Sequence, residues 1–443
     1  MDVRAPKVPT LRERLAARAP VSEVLPGLRT DALLAEAADA PDVLPSVALR
    51  VRDVRTFVRA LSVLDGRAET ILLASPGTPL ETVRAQAERA GCTHVFGPGA
   101  DLETLAELRA LGQPGAAPPT RWVLTTSGTT AEPKLVGHTL GSLTRTTTSD
   151  ATRGRTATWG LLYEPTRYAG LQVVLQSLLG GSRLVAPDPG APLHERVAVL
   201  AVRGCTHLSA TPTLWRRLLM TARSEELPLR QITLGGEIAD QTLLDRLTNA
   251  FPGARIAHIF ASTEAGVGFS VTDGKAGFPA AFLEVPPAGI AIRVREGRLL
   301  VRNEAVAGAY LGEGTRFRDD EGFVDTGDAV ELRGERVLFL GRASGVINVG
   351  GQKVHPERVE AVLVAHPGVA VAKVGQRRSP ITGALVMAEV QPAPGTDPAA
   401  LKRELRAHCA ALLAPYERPA SVKVTGRLAT NGAGKIVRRG EAA

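Results

Sequence analysis

The chain has few cysteines, few aromatic residues and no long hydrophobic run. Its three cysteines, Cys92, Cys205 and Cys409, lie far apart, so neither a disulfide framework nor a C-x-x-C metal site is indicated. Aromatic residues make up only 4% of the chain and its basic residues are scattered, whereas a nucleic-acid groove needs clustered charge and stacking platforms. No apolar run is long enough to span a bilayer, and residues 1–20 lack the apolar core of a signal peptide. We therefore expect a cytoplasmic protein without nucleic-acid or membrane partners.

The composition that is present describes an ordinary globular protein of more than one domain. The chain has 443 residues, which exceeds what a single hydrophobic core usually serves. Hydrophobic residues account for 44% and charged residues for 22% of the sequence. The 53 basic residues outnumber the 45 acidic ones and give a net charge of +8, a balance that suits polyanionic ligands such as nucleotides.

The order of predicted elements indicates an α/β protein in which the fold changes along the chain. Strands alternate with helices over 47–96 and again over 206–262, a pattern typical of parallel sheets with helices on their faces. Residues 289–341 instead read as short β segments with frequent turns, which predicts a small β-rich subdomain. From about 345 the pattern returns to α+β. We expect a large N-terminal region, 1–341, followed by a small C-terminal domain, 342–443.

The stretch "TTSGTTAEPK", residues 125–134, gathers hydroxyl side chains around a glycine and ends in a proline and a lysine. Such a composition fits a polar surface turn, and it also fits an anion cradle of backbone N–H groups, hydroxyls and an ammonium. The stretch does not match the G-x-x-x-x-G-K-[ST] pattern of a P-loop NTPase. The stretch alone does not decide between turn and cradle, and the rest of the chain must do so.

Five segments together carry a resemblance to a known family. They resemble, in the same order, the motifs of the adenylate-forming (AMP-binding) enzymes, which include acyl-CoA synthetases, nonribosomal adenylation domains and luciferases. The resemblance extends from about residue 45 to the end, and the region before the first motif is shorter than in typical members. The segments are "TTSGTTAEPK" (125–134), "FASTEAG" (260–266), "DTGD" (325–328), "GRASGVINVGGQKVHPERVE" (341–360) and "NGAGKIVRR" (431–439).

The resemblance implies a nucleotide site made from several of these segments. The first segment would cradle the β- and γ-phosphates of ATP, two further segments would form walls around the nucleotide, and an aspartate and an arginine would contact the ribose. The residues implied to bind ATP or AMP are Thr126, Ser127, Gly128, Thr129, Thr130, Lys134, Gly236, Glu237, Phe260, Ala261, Ser262, Asp328 and Arg342.

The resemblance also implies the catalytic groups. Lys435 matches the mobile lysine that bridges the substrate carboxylate and the α-phosphate. Thr263 would reach the α-phosphate with its hydroxyl, and Glu264 would hold Mg²⁺ against the triphosphate oxygens. Taken alone, Glu264 would be read as a solvated loop carboxylate and Lys435 as an exposed charge near the C-terminus.

The resemblance also implies residues for the acyl pocket, for the loop on the thiol side and for the hinge. Tyr168 stands where the family often has a histidine that gates the acyl pocket, although core packing explains a tyrosine there equally well. Gly235 would form another wall of this pocket, and Gly350 and Gly351 would meet the active site during thiol transfer. Ser344 occupies the hinge of the mobile C-terminal domain, where the family usually has Asp or Lys.

The function implied is an ATP-dependent acid–thiol ligase. It would form an acyl-AMP from a small carboxylic acid, release pyrophosphate, and transfer the acyl group to a thiol, for which coenzyme A is expected. A carrier protein or a nitrogen nucleophile is the alternative acceptor, and an inactive nucleotide-binding regulator is a third interpretation. A tyrosine at the gate favours an aromatic or short acid. The protein is expected to be a monomer or a homodimer.

Overall fold

The computed structural model of this chain describes residues 9–17, 23–126, 133–147, 154–306, 308–312, 315–430 and 435–436. Two sheets built mainly from parallel strands form the N-terminal part, and three antiparallel or mixed sheets follow. Among the described residues, no helix combines the length and the apolar character needed to cross a bilayer. Cys92, Cys205 and Cys409 are buried and free.

The first large sheet contains the strand that leads into residues 125–134, the segment predicted to bind phosphates and called the phosphate-loop segment below. A short hairpin, Glu23–Leu25 (β1) and Leu28–Arg29 (β2), precedes it. The sheet then has the order β5-β3-β4-β6-β7, with only the last pair antiparallel. Strand β4 is buried at every position, as is usual when helices cover both faces of a parallel sheet. Its strands are Val47–Leu49 (β3), Thr70–Leu73 (β4), His94–Phe96 (β5), Arg121–Thr125 (β6) and Leu135–His138 (β7).

Helices surround this sheet, and side-chain caps fix several of their starts. Asp53 accepts hydrogen bonds from the backbone N–H groups of Arg55 and Thr56, which satisfies donors that the helix itself leaves unpaired. Thr104 forms a capping box with Glu107. The helices of this part are Leu11–Ala16 (α1), Thr30–Ala38 (α2), Val54–Leu64 (α3), Leu80–Ala90 (α4), Leu105–Ala110 (α5) and Leu140–Leu143 (α6).

The second large sheet forms the floor of the site described below. Its order is β13-β12-β11-β10-β8-β9, and only β13 runs antiparallel. Side chains alternate between the two faces of this sheet. Apolar residues such as Leu208 and Ile232 pack against helices on one face, and the alternate residues face helix α7 (Tyr168–Gly180) and the cleft on the other. The elements in chain order are Thr158–Leu161 (β8), Tyr168–Gly180 (α7), Arg183–Val185 (β9), Leu193–Val202 (α8), His207–Ala210 (β10), Pro212–Leu219 (α9), Gln231–Gly235 (β11), Gln241–Ala250 (α10), Arg255–Ser262 (β12) and Gly266–Val271 (β13).

A five-stranded antiparallel sheet follows, in the order β14-β18-β17-β16-β15. It corresponds to the β-rich subdomain that the sequence predicted between 289 and 341. Its core is an aromatic and aliphatic cluster that includes Phe269, Phe278 and Val337. The strands are Phe278–Pro279 (β14), Ala291–Arg295 (β15), Arg298–Arg302 (β16), Val324–Arg333 (β17) and Arg336–Arg342 (β18).

The C-terminal part has its own hydrophobic core. Apolar residues of two helices and five strands, among them Val359, Leu363, Val390 and Leu405, pack into one cluster. The short 3-10 turn Ala343–Gly345, which contains Ser344, connects this part to β18. Its elements are Ile347–Val349 (β19), Gln352–Val354 (β20), Pro356–Ala365 (α11), Val369–Ser379 (β21), Gly383–Pro392 (β22), Pro398–Leu412 (α12) and Ser421–Val424 (β23).

The predicted fold class is therefore confirmed: parallel α/β sheets in a large N-terminal region, a β-rich subdomain, and a small α+β C-terminal part. The predicted boundary between 341 and 342 falls at the end of β18, where the 3-10 turn begins. The division into a fixed and a mobile domain stays a prediction.

Candidate active site

Most of the predicted site residues line a single large cleft, with a volume of about 2070 Å³. It lies between the N-terminal sheets, the antiparallel sheet and the C-terminal part, and it contains the carboxyl ends of β10, β11 and β12, the edge at which parallel sheets usually bind ligands. The predicted residues in its lining are Thr126, Tyr168, Gly235, Gly236, Glu237, Phe260, Ala261, Ser262, Thr263, Glu264, Asp328, Arg342 and Lys435.

The base of the phosphate-loop segment is closed by the β6–β7 ladder. The backbone N–H of Thr126 donates a hydrogen bond to the carbonyl oxygen of Lys134 at 2.9 Å, which continues that ladder by one pair. The Lys134 ammonium lies 4.4 Å from the ring centroid of Tyr310, a cation–π arrangement. The predicted loop residues Ser127, Gly128, Thr129 and Thr130 lie outside the described residues.

Thr263 and Glu264 stand at the tip of the tight connection between β12 and β13. The N–H of Ala265 donates to Ser262 Oγ at 2.9 Å, and Gly266 follows with a φ of +68°, a conformation that glycine adopts without strain. The hydroxyl of Tyr310 donates to Glu264 Oε1 at 3.3 Å. Tyr310 therefore contacts both Lys134 and Glu264. Sequence reasoning missed Tyr310, since it belongs to none of the five matched segments.

His138 also contacts this connection, and sequence reasoning missed it as well. Its Nε2 donates to the carbonyl oxygen of Thr263 at 3.0 Å, while Nδ1 lies 3.4 Å from Ser142 Oγ. The imidazole is almost fully buried, and burial lowers the pKa of His138 to about 4. It is therefore neutral at physiological pH. The sequence did contain a signal for this residue, namely a histidine in the buried apolar strand that follows residues 125–134.

Asp328 and Arg342 are directly opposite each other in the β17–β18 ladder. Arg342 Nε lies 3.4 Å from Asp328 Oδ1, and Arg342 Nη1 donates to the carbonyl oxygen of Thr326. Burial raises the pKa of Asp328, while the positive charges of Arg342 and Lys435 act in the opposite direction. The pair presents a carboxylate and a guanidinium to the cleft where β18 ends.

Lys435 comes from the other end of the chain and lies beside the carboxyl end of β11. A Cβ placed on Gly236 would be 3.0 Å from Lys435 Cε and 3.4 Å from Nζ. The next residue, Ile436, packs with Met220 in a small apolar cluster, and Arg217 Nη1 donates to Thr430 Oγ1 at 3.1 Å. The C-terminal part is thus placed so that this ammonium enters the cleft.

Tyr168 is the first residue of helix α7 and faces the cleft. Its ring centroid lies 5.7 Å from that of His138, and a Cβ on Gly266 would be 3.5 Å from its hydroxyl oxygen. Burial raises the pKa of the phenol. The residue therefore lines the cleft while it also packs against the hydrophobic core of the first sheet. Both sequence interpretations of Tyr168 are compatible with this position.

Two predicted nucleotide contacts already have partners in the protein. Glu237 Oε2 accepts a hydrogen bond from the N–H of Thr213, at 2.8 Å, and so stabilises the start of α9. The Phe260 ring is stacked nearly parallel to those of Phe269 and Phe339, at 5.2 and 5.7 Å between centroids. Their roles toward a nucleotide stay predictions.

Gly350 and Gly351 do not line the cleft. They form the turn between β19 and β20, with φ values of +59° and +86°. The backbone N–H of Gly350 donates to the carbonyl oxygen of Thr382 at 2.8 Å. The assignment of this turn to the thiol side stays a prediction.

The side chains around Glu264 show what kind of metal site the predicted magnesium ligand could form. Among the described residues, no group of three or more His, Cys, Asp or Glu side chains is arranged to hold a metal ion by itself. Glu264 offers one half-buried carboxylate beside the base of the phosphate loop. Magnesium is commonly bound by one or two carboxylates together with substrate phosphates and water. The donor set therefore fits a magnesium ion brought in with ATP, and not a resident metal.

Comparison with known proteins gives matches over most of the chain. Residues 116–311 match the family model of the AMP-binding enzymes, and residues 358–435 match that of the AMP-binding enzyme C-terminal domain. A probable 2-succinylbenzoate–CoA ligase of Mycobacterium tuberculosis is 29% identical over 337 residues, which cover 71% of this chain and 82% of that protein. A feruloyl-CoA synthase of Amycolatopsis is 30% identical over 340 residues, which cover 71% and 67%.

A solved structure shows the same fold. The crystal structure of the anthranilate CoA ligase AuaEII, in complex with anthranoyl-AMP, has a TM-score of 0.81 and 18% identity, and covers 98% of this chain and 96% of that one. The predicted resemblance and the predicted enzyme class, an AMP-forming acid–thiol ligase, are thereby confirmed.

Proposed function

Because the chain belongs to the family of AMP-binding enzymes, we propose that it activates a carboxylic acid with ATP and passes the acyl group to the thiol of coenzyme A. One observation carries the proposal. One cleft is lined by four residues that are far apart in the sequence. They are Lys435 with its ammonium, Thr263 with its hydroxyl, Asp328 with a buried carboxylate, and Gly236 at the open end of a strand. A regulator without activity has no need for Lys435 beside Gly236.

In the first half-reaction the substrate carboxylate attacks the α-phosphorus of ATP. A carboxylate oxygen forms the new P–O bond, the bond from the α-phosphorus to the bridging oxygen breaks, and pyrophosphate leaves with that electron pair. Lys435 neutralises the charge that develops on the α-phosphate, and the Thr263 hydroxyl donates to an α-phosphate oxygen. Asp328 and Arg342 hold the ribose, with the aspartate accepting from its hydroxyls.

The triphosphate lies along the β6–β7 connection in this proposal. Lys134 and the hydroxyl-rich segment bind the β- and γ-phosphates, and Glu264 would hold a magnesium ion that arrives with ATP. When bound, that ion would neutralise phosphate charge. Tyr310 keeps Glu264 and Lys134 near each other through its hydroxyl and its ring.

In the second half-reaction a thiolate attacks the acyl carbon and AMP leaves. We propose that residues 342–443 rotate about Ser344, which withdraws Lys435 and brings the Gly350–Gly351 turn to the cleft. Side chains such as Arg217 and Met220 contact the C-terminal part in the present arrangement, and the proposed rotation breaks these contacts. A carrier protein or an amine as acceptor is the alternative.

The acid is proposed to be aromatic. The curated relatives are named for 2-succinylbenzoate and ferulate, and the similar solved structure contains anthranoyl-AMP. Each of these acids has a ring, and Tyr168 in the cleft lining offers a flat surface to a ring. The oligomeric state stays a prediction.

The experiment that tests the proposal is acid-dependent exchange of labelled pyrophosphate into ATP, run over a panel of aromatic and aliphatic acids. Exchange that requires an acid and magnesium, followed by acyl-thioester formation when coenzyme A is added, is the expected result. Absence of exchange with every acid, in protein that is folded and binds ATP, would overturn the proposal. Acyl-AMP formation without transfer to coenzyme A would instead favour a carrier protein or an amine as acceptor.

A further inference from the structure

The cleft continues inward from the reaction edge as a channel between one face of the second sheet and helix α7. The face is read from the strand register, in which Gly235, Thr233 and Gln231 follow one another on β11 at every second residue. Each of the three lines the cleft. With a rise of about 3.3 Å per residue, Gln231 lies about 13 Å inward from Gly235. Any acyl group that extends from Lys435 along this sheet passes these positions.

The two central strands of the channel floor, β10 and β11, carry polar residues at both inward levels, whereas the flanking strands β8 and β12 contribute mainly apolar residues. At the first level Ser209 of β10 stands beside Thr233 of β11, and at the second level His207 stands beside Gln231. Ser209 and Thr233 are both buried. Gln231 Nε2 donates to Thr233 Oγ1 at 3.4 Å, which leaves the Thr233 hydroxyl proton available to another acceptor. These positions carry hydroxyl, amide and imidazole groups where a channel for an alkyl chain would carry Leu, Val or Ile.

His207 is held in a fixed orientation. Its Nδ1 lies 2.8 Å from Thr206 Oγ1, and its ring packs against that of Trp159 at 5.0 Å between centroids. Among the described residues Nε2 has no hydrogen-bond partner, and the residue lines the cleft. Burial, together with the charge of Arg230, lowers the pKa of His207, so the ring is neutral near pH 7. A neutral imidazole offers either a donor or an acceptor at Nε2.

The opposite wall also carries a polar side chain among apolar ones. Helix α7 returns along the sheet from Tyr168 at the reaction edge, and Gln172 lies one turn further inward and lines the cleft. Its Nε2 donates to the carbonyl oxygen of Leu143 at 2.7 Å. This bond fixes the amide and leaves its oxygen as an acceptor.

We infer that the acid activated by this chain carries a hydrogen-bonding group at the end remote from its reacting carboxylate, and that Thr233, Ser209 and His207 select for that group. The inference rests on the proposed function and specifies its substrate class: acids with a remote hydroxyl, amino or carbonyl group, and not alkyl acids. An alkyl chain in the channel would remove water from these polar groups and give them no partner in exchange. A site built in this way discriminates against analogues that lack the polar group.

The test compares matched acids and matched variants. The acids are 4-hydroxycinnamate with cinnamate, 4-hydroxybenzoate with benzoate, and octanoate, each assayed by pyrophosphate exchange. The variants are Thr233→Val, which replaces a hydroxyl by a methyl group of similar shape, the double variant Ser209→Ala/Thr233→Val, and His207→Phe. Ser270→Ala is the matched control, because it removes a hydroxyl from the cleft lining on the antiparallel edge strand β13, away from the channel floor.

The wild type should prefer the better hydroxylated acid over its partner by roughly tenfold or more in kcat/KM, and should use octanoate poorly. The double variant should reduce that preference by roughly tenfold, whereas Ser270→Ala should leave it unchanged. A wild-type preference for cinnamate, benzoate or octanoate would overturn the inference. So would a preference for the hydroxylated acids that persists in the double variant and in His207→Phe.

A second measurement separates failure of the inference from failure of the proposed function. The affinities of the cinnamoyl and 4-hydroxycinnamoyl sulfamoyl-adenosines, which mimic the acyl-AMP, are measured by calorimetry without turnover. Tighter binding of the hydroxylated compound, lost in the double variant, supports the inference. Equal affinities together with acid-dependent exchange overturn the inference alone. No binding of either compound and no exchange with any acid overturn both.

Discussion

The Nε2 atom of His138 lies 3.0 Å from the carbonyl oxygen of Thr263. This hydrogen bond joins the strand that leaves the phosphate loop to the connection that carries Thr263 and Glu264, although the two residues are 125 positions apart. A carbonyl only accepts, so the proton of the neutral imidazole must be on Nε2. Ser142 Oγ then faces the unprotonated Nδ1. One buried side chain thus fixes the relative position of two segments that are proposed to bind phosphate.

Replacing His138 by Phe should reduce kcat for adenylation by roughly tenfold to a hundredfold, with a smaller change in the KM for the acid. The ring volume is kept while the bond to Thr263 is lost, so the hydroxyl and carboxylate of this connection are held less accurately. His408→Phe is the matched control, because its Nε2 makes a similar 2.9 Å bond to the carbonyl oxygen of Val362 in the C-terminal part. Equal effects of the two substitutions on kcat would mean that His138 has only a structural role.

The lowered pKa of His138 should make the free energy of unfolding depend on pH. Its pKa is about 4 in the folded chain because of burial, against an ordinary value of 6.5. The neutral form is favoured by folding, so this contribution is complete above pH 6.5 and decreases as the pH falls toward 4. Two and a half pKa units correspond to about 3 kcal/mol. Urea unfolding at several pH values should show this decrease in the wild type and a smaller one in His138→Phe. Parallel curves for the two proteins would contradict the assignment.

Lys435→Ala should lower acyl-AMP formation by roughly two to three orders of magnitude, the usual effect of removing one electrostatic donor from a transition state. It should leave the reaction of supplied acyl-AMP with coenzyme A largely intact, because the proposed rotation withdraws the lysine before that step. The two half-reactions are measured separately. Lys423→Ala, an exposed charge on β23, is the control and should change neither rate. Equal losses in both half-reactions for Lys435→Ala would refute the two-conformation proposal.

Gly341→Ala should disturb the contact between β18 and helix α11. Gly341 has a φ of +140°, and a Cβ there would lie 2.1 Å from Glu357 Oε2. The backbone conformation is strained for alanine and the carboxylate must move, so we expect a loss of about 1–3 kcal/mol in the free energy of unfolding. Gly375→Ala in β21 is the control, since nothing lies within 4 Å of its added Cβ. Thermal unfolding and pyrophosphate exchange are the measurements, and equal stability of the two variants would contradict the steric argument.

The sequence predicted the alternating sheets well because each element carries its own local pattern. The buried strand β4 and the capped helix α3, for example, are specified by apolar runs and by Asp53 within a few residues. The β-rich subdomain was likewise recognisable from its turns. These features depend on neighbours in the chain, which a sequence displays directly.

Long-range partners were not predictable in the same way. Tyr310 contacts Lys134 and Glu264, and His207 packs against Trp159, only because the chain folds these segments together. Nor did the sequence show that Glu237 caps helix α9, because its partner Thr213 lies on a different element. Motifs therefore predicted which segments meet, while side-chain partners within the site required the three-dimensional arrangement.

Tyr168→Ala should shift the ranking of acids toward bulkier ones. Tyr168 lines the cleft, and its ring lies 5.7 Å from that of His138, so its removal enlarges the space available to the acyl group. Space of this size changes relative kcat/KM between substrates by roughly 10- to 200-fold. The KM for ATP should change little, since the nucleotide is proposed to contact other segments.

Tyr168→Phe is the matched control and should keep the wild-type ranking, because it preserves the ring. The measurement is pyrophosphate exchange over aliphatic and aromatic acids at equal ATP. An unchanged ranking in Tyr168→Ala, with only a lower unfolding temperature, would mean that Tyr168 serves the hydrophobic core and does not select the acid.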